Sequence, residues 1–102
     1  MVEKDQILKF ISDNEALFRN EYRVVKMGVF GSCARNEQNE LSDIDLIVEF
    51  EADTKNLHKI KNEIKELFKG KFNVNIDICR EKYIKPIFKE QILRESIYVY
   101  RH

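Results

Sequence analysis

A chain of 102 residues has room for one core and one site, which excludes a two-domain enzyme and predicts a single domain over 1–102. Its 18 Lys and Arg cancel its 18 Asp and Glu, which argues against a protein that coats duplex nucleic acid, because such binding scales with the phosphates neutralised. No run approaches the roughly 18 apolar residues of a bilayer span, and MVEKDQILKF lacks the apolar stretch of a signal peptide, so a cytoplasmic chain with no membrane partner is expected.

Cys33 and Cys79 form no CxxC pair and are expected to stay reduced. One Pro and three Gly exclude low-complexity linkers.

In chain order, Ile7, Leu8, Ile11, Leu17 and Phe18 form a helical stripe over about residues 3–20, with a break near Ser12-Asp13-Asn14. RVVKMGVF, residues 23–30, reads as a strand that runs into Gly31-Ser32, and CARNE suits the start of a short helix. A second strand is expected over 43–50, where Ile44, Leu46, Val48 and Phe50 alternate with Asp43, Asp45, Ile47 and Glu49. Asp43 and Asp45 therefore share a face.

Asp53 or Thr54 is placed to cap a helix over about 55–69, with Leu57, Ile60, Ile64, Leu67 and Phe68 on one stripe and Gly70 as its stop. A third strand over 72–79 sets Val74, Ile76 and Ile78 against Asn73, Asn75, Asp77 and Cys79. Pro86 opens a last helix to about Arg94 that uses Ile87, Phe88 and Ile92, and residues 97–100 add an edge segment. The order predicts an α/β (α+β) fold with a small mixed sheet of three to four strands flanked by helices.

Charge is balanced overall but sorted locally. Residues 37–53 hold seven acids (Glu37, Glu40, Asp43, Asp45, Glu49, Glu51, Asp53) and no base, whereas 54–71 hold six lysines against Glu63 and Glu66. The lysines read as a solvated helix face. Asp43 and Asp45 are harder to dismiss, because acids are depleted in strands and mutual repulsion raises the pKa of one of such a pair.

A divalent cation offsets that repulsion. Hard carboxylate oxygens at i and i+2 of one strand face suit Mg²⁺, with the remaining positions left to water and phosphate. Asp77, on the polar face of another strand, completes the set if the two strands are neighbours. Three aspartates then suit a two-ion site, with Asp77 the best candidate for general base. The Gly31-Ser32 step, between a strand and a helix start, offers backbone N–H groups and a hydroxyl to a triphosphate.

GVFGSCARNEQNELSDIDLIVEF, with Gly31-Ser32, ten residues, then Asp43-x-Asp45, resembles the signature of the polymerase-β-type nucleotidyltransferase superfamily, and of its minimal nucleotidyltransferase (MNT) group with the MntA-like antitoxins. VNIDICREKYIKPIFKEQILRESIYVY is similar to the end of such chains. The resemblance implies the polymerase-β-like fold and nucleotidyl transfer from an NTP, usually ATP, to a hydroxyl, with release of pyrophosphate. Asp43, Asp45 and Asp77 match the metal-binding aspartates, and Gly31 and Ser32 match the phosphate-holding turn. The acceptor implied is a tyrosine of a partner HEPN-domain RNase toxin, silenced by added AMP. Asn36 departs from the glycine frequent at that place, and asparagine tolerates the left-handed backbone better than most residues.

Arg35 reads either as a phosphate contact or as a partner of the acidic run. His58 and His102 read as surface residues and Cys33 as passive. Tyr98 and Tyr100 read either as a partner-facing strip or as residues closing the core. The expectation is thus a Mg²⁺-dependent adenylyltransferase antitoxin, with ATP as substrate and a HEPN-type toxin supplying the acceptor that so short a chain leaves little room to hold. The alternatives are an enzyme acting on a small-molecule hydroxyl of antibiotic type, and a non-catalytic antitoxin that covers its toxin.

Overall fold

The computed structural model describes residues 4–30 and 44–101. The expected N-terminal stripe forms two helices, α1 (Lys4–Asp13) and α2 (Glu15–Asn20), which bury Ile7, Ile11 and Phe18. The break falls at Asn14, whose Nδ2 donates to the Phe10 carbonyl at 2.8 Å. The Asn14 N–H also reaches that carbonyl, at 3.1 Å, so both groups of Asn14 close the last turn of α1.

Strands β1 (Val24–Phe30) and β2 (Ile44–Phe50) pair antiparallel, and β3 (Ile76–Arg80) joins the far side of β2 in parallel. The parallel step needs a crossover, and α3 (Leu57–Phe72) provides it. After a 3₁₀ turn at Glu81–Tyr83 comes α4 (Pro86–Glu95), opened by its proline, and then β4 (Ile97–Arg101), antiparallel to β1. The sheet order is β3-β2-β1-β4, a mixed sheet of four strands, the larger of the three to four expected.

The core lies on one face of the sheet. Ile44, Leu46, Val48 and Phe50 of β2 meet Val24, Met27 and Val29 of β1, Ile76 of β3, and the buried faces of α1, α2 and α3. Phe68 sits among the rings of Phe10, Phe18 and Phe72 at centroid distances of 5.0, 6.2 and 6.1 Å. Among the described residues no helix is long and apolar enough to cross a membrane.

Three boundaries differ from the sequence expectation. Gly70 does not stop α3: the helix continues to Phe72, whose ring packs 5.4 Å from Phe10, and ends at Asn73 in the left-handed region, φ 55°. That packing outweighs the modest penalty of one helical glycine. At its start the helix uses neither Asp53 nor Thr54 as cap: Thr54 Oγ1 closes a turn onto the Glu51 carbonyl at 2.6 Å, and Asn56, φ 59°, precedes Leu57. The third strand begins at Ile76 rather than near residue 72, because Phe72 belongs to α3.

Helix α4 departs in burial. Ile87 is 82% and Phe88 51% exposed, so neither is a core residue. The core is already closed by α1, α2 and α3, and no residue of α4 is buried. Of the tyrosines of β4, Tyr100 closes the core, with its hydroxyl donating to the Val24 carbonyl at 3.0 Å, and Tyr98 is half-buried with its hydroxyl donating to Glu81 Oε2 at 2.8 Å.

Candidate active site

Alternation along β2 turns Ile44, Leu46 and Val48 to the core and leaves Asp45 on the opposite face. The same rule leaves Asp77 on that face of β3, between Ile76 and Ile78, which both pack toward the core. The parallel register aligns Asp45 with Asp77, flanked by the pairs Ile44 with Ile76 and Leu46 with Ile78. Neighbouring strands lie about 4.8 Å apart, so the two carboxylates share one small volume. Asp77 is exposed and Asp45 half-buried.

On the other side of β2, Asp45 is paired with Phe30, the last described residue before Gly31. One end of the sheet thus gathers the end of β1 and the starts of β2 and β3. The Asp45 charge is felt nearby: the Cys79 thiol, on the same face two residues after Asp77, is pushed up by burial and then by Asp45, with Lys61 opposing. Cys79 is a free thiol.

Asp43, Gly31, Ser32, Arg35, Asn36, Cys33, the short helix expected after Ser32, and His102 lie outside the described residues. Among the described residues no group of three or more His, Cys, Asp or Glu side chains is arranged to hold a metal ion. The two described members of the predicted set do fit a hard cation. They are oxygen donors, they stand side by side, and Asp77 is open to solvent. His58 is exposed on α3, with its Nε2 3.3 Å from Asn62 Nδ2. It borders a groove of about 650 Å³ beside Tyr22 whose described lining includes neither Asp45 nor Asp77.

Along the sequence Glu49 stands only in the acidic run and on the polar side of the second strand, and Arg80 has no role. In the structure Arg80 Nε and Nη2 donate to Glu49 Oε1 at 3.0 and 2.7 Å, and both side chains are largely buried. The available signal was an acid four residues beyond Asp45 and a base three beyond Asp77, which a parallel pairing brings together.

A mixed sheet with α1, α2 and α3 packed against its core face and Asp45 aligned with Asp77 at one end is the arrangement of a nucleotidyltransferase domain. The chain belongs to the family described as "Polymerase beta, Nucleotidyltransferase", which matches residues 13–102. It is 38% identical over 79 residues to a Methanocaldococcus jannaschii protein named "Putative protein adenylyltransferase MJ0435", covering 76% of this chain and 81% of that one. To the "Protein adenylyltransferase MntA" of Thermococcus cleftensis it is 29% identical over 99 residues, covering 97% and 98%. Among solved structures, a "putative minimal nucleotidyltransferase" superposes with a TM-score of 0.74 at 31% identity, over 94% of this chain and 95% of that one. The fold is also similar, at a TM-score of 0.56 and 15% identity over 97% and 70%, to a chain in the complex of a tri-AMPylated Shewanella oneidensis HEPN toxin with its MNT antitoxin.

Proposed function

We propose that this chain is a magnesium-dependent protein adenylyltransferase that acts as an antitoxin in the cytoplasm, moving AMP from ATP to a tyrosine hydroxyl of a cognate HEPN-type RNase toxin. The observation that carries the reading is the alignment of Asp45 with Asp77 at the sheet end where β1 leads into Gly31-Ser32. The relatives named protein adenylyltransferases and the fold shared with an antitoxin bound to a HEPN toxin support the protein acceptor.

Asp43, Asp45 and Asp77 are the residues that would hold magnesium. When bound, the ions supply positive charge beside the phosphates and steady the departing pyrophosphate. Gly31 and Ser32 hold the triphosphate through N–H and hydroxyl groups, with Arg35 as a further phosphate contact. Asp77 accepts the proton of the incoming hydroxyl, a role its exposure suits. The hydroxyl oxygen bonds to the α-phosphorus, and the bond from that phosphorus to pyrophosphate breaks.

The experiment combines purified chain, ATP labelled at the α-phosphate, Mg²⁺ and a candidate HEPN-domain toxin. Label moves to a tyrosine of that protein, and chelation of the metal stops it. Absence of transfer, or equal transfer by the Asp43→Asn plus Asp45→Asn variant, rejects the reading.

A further inference from the structure

Asp45 and Asp77 place like charges opposite one another on neighbouring strands, which weakens the pairing that brings them together. Strand β3 has five residues, lies at the sheet edge and, among the described strands, is hydrogen-bonded to β2 alone, through the weaker parallel pairing. The apolar alternation of β3 forbids a one-residue slip, which would expose Ile76 and Ile78. A two-residue slip keeps that pattern and still carries Asp77 roughly 6.6 Å away from Asp45.

The same two strands carry an opposite-charge pair further along. Glu49 Oε1 accepts from Arg80 Nε at 3.0 Å, from Arg80 Nη2 at 2.7 Å and from the Phe50 N–H at 3.1 Å, while Oε2 accepts from the Lys82 N–H at 3.2 Å. The Arg80 and Glu49 side chains are only 9% and 16% exposed. The guanidinium also lies 5.6 Å from the Phe50 ring centroid and 4.9 Å from that of Tyr83. Burial works to raise the Glu49 carboxyl, but the Arg80 hydrogen bond, the two N–H groups and the Arg80 charge together hold it below its ordinary value.

We propose that Glu49 and Arg80 are positioning residues, a clamp that locks β3 against β2 in the register that keeps Asp77 beside Asp45 when no cation lies between them. The clamp rests on the cation-binding role given to these aspartates in the proposed function, and it makes the site preorganised rather than assembled by the metal.

The test uses the full chain with Glu49→Ala, Arg80→Met and the conservative Glu49→Gln. Two quantities are read: amide hydrogen exchange at Asp77 and Ile78 without metal, and Mn²⁺ affinity by electron paramagnetic resonance. Glu49→Ala and Arg80→Met speed exchange in β3 and weaken Mn²⁺ binding about tenfold each, the factor expected for loss of a charge-assisted hydrogen bond. Glu49→Gln, which keeps an acceptor oxygen but loses the charge, falls between the native chain and Glu49→Ala. Native Mn²⁺ affinity in the folded Ala and Met variants, or faster exchange spread equally over β1 and β2, overturns the proposal. A native chain that takes up no Mn²⁺ while the variants still loosen β3 alone supports the clamp and rejects the metal reading. If Glu49→Ala fails to fold, Arg80→Lys, which keeps the charge and loses the planar fork, is read by the same two measurements.

Discussion

Asp45 and Asp77 stand opposite each other in the parallel pairing of β2 and β3, on the sheet face turned away from the core. Neither position is arbitrary. The adjacent residues Ile44, Leu46, Ile76 and Ile78 pack toward the core and fix which face each aspartate takes. The crossover α3 then fixes which strand lies beside which. The site is a by-product of core packing, so the aspartates can be changed without disturbing what holds the sheet.

Asp77→Asn therefore separates activity from stability. It removes the proposed general base and one oxygen donor, and AMP transfer to the acceptor falls about 10²-fold or more. The same change removes a like-charge contact, so Tm stays level or rises. Label transfer and a thermal melt on one preparation check both; a lowered Tm with unchanged transfer contradicts the assignment.

Gly28 is tied to β4 by close approach. A Cβ there would collide with the Ile97 carbonyl oxygen and meet the Tyr98 Cα at 2.8 Å, both backbone atoms. Gly28→Ala is expected to destabilise by about 1–3 kcal/mol, as overpacking does. Urea denaturation measures the loss, and hydrogen exchange should place it first in β4.

Helix α4 should respond differently from the other helices. Ile87→Ser and Phe88→Ser remove large apolar side chains that are 82% and 51% exposed. Each is expected to change stability by no more than about 0.5 kcal/mol. By contrast Phe68→Ala, in the aromatic cluster, should cost about 3–5 kcal/mol. Chemical denaturation of the three variants side by side tests the contrast.

Alkaline pH supplies a fourth measurement. Burial, above all, raises the Tyr98 and Tyr100 hydroxyls above their ordinary 10.0, and for Tyr98 the hydrogen bond and charge of Glu81 add to it. A raised folded-state value means the folded chain keeps its proton longer than the unfolded one. The stabilisation is whole below about pH 10 and is lost as pH rises through and beyond that value. Tm should fall above pH 10, and Tyr98→Phe should flatten the decline; an alkaline melt that is level across this window contradicts it.

Much of this was legible along the chain. Two-residue alternation around SDIDLIVEF and VNIDIC put Asp45 and Asp77 on polar faces, and the stripe from Ile7 to Phe18 marked the helices that cover the core. These patterns are local, and burial enforces them wherever the strand sits. The fate of Ile87 and Phe88 was not legible, because an apolar stripe shows that a helix can bury a face and not whether room is left for it. Nor was the extension of α3 past Gly70, which depends on Phe10 from the other end of the sequence.

The sequence by itself determined the elements, the faces of the aspartates and the family they belong to. Only the tertiary structure decided that β3 runs parallel to β2 with Asp77 level with Asp45, that Arg80 reaches Glu49, and that Tyr98 bonds Glu81 while Tyr100 bonds the Val24 carbonyl. Strand partner and register are set by long-range packing against a shared core, and no period along a single strand encodes its neighbour.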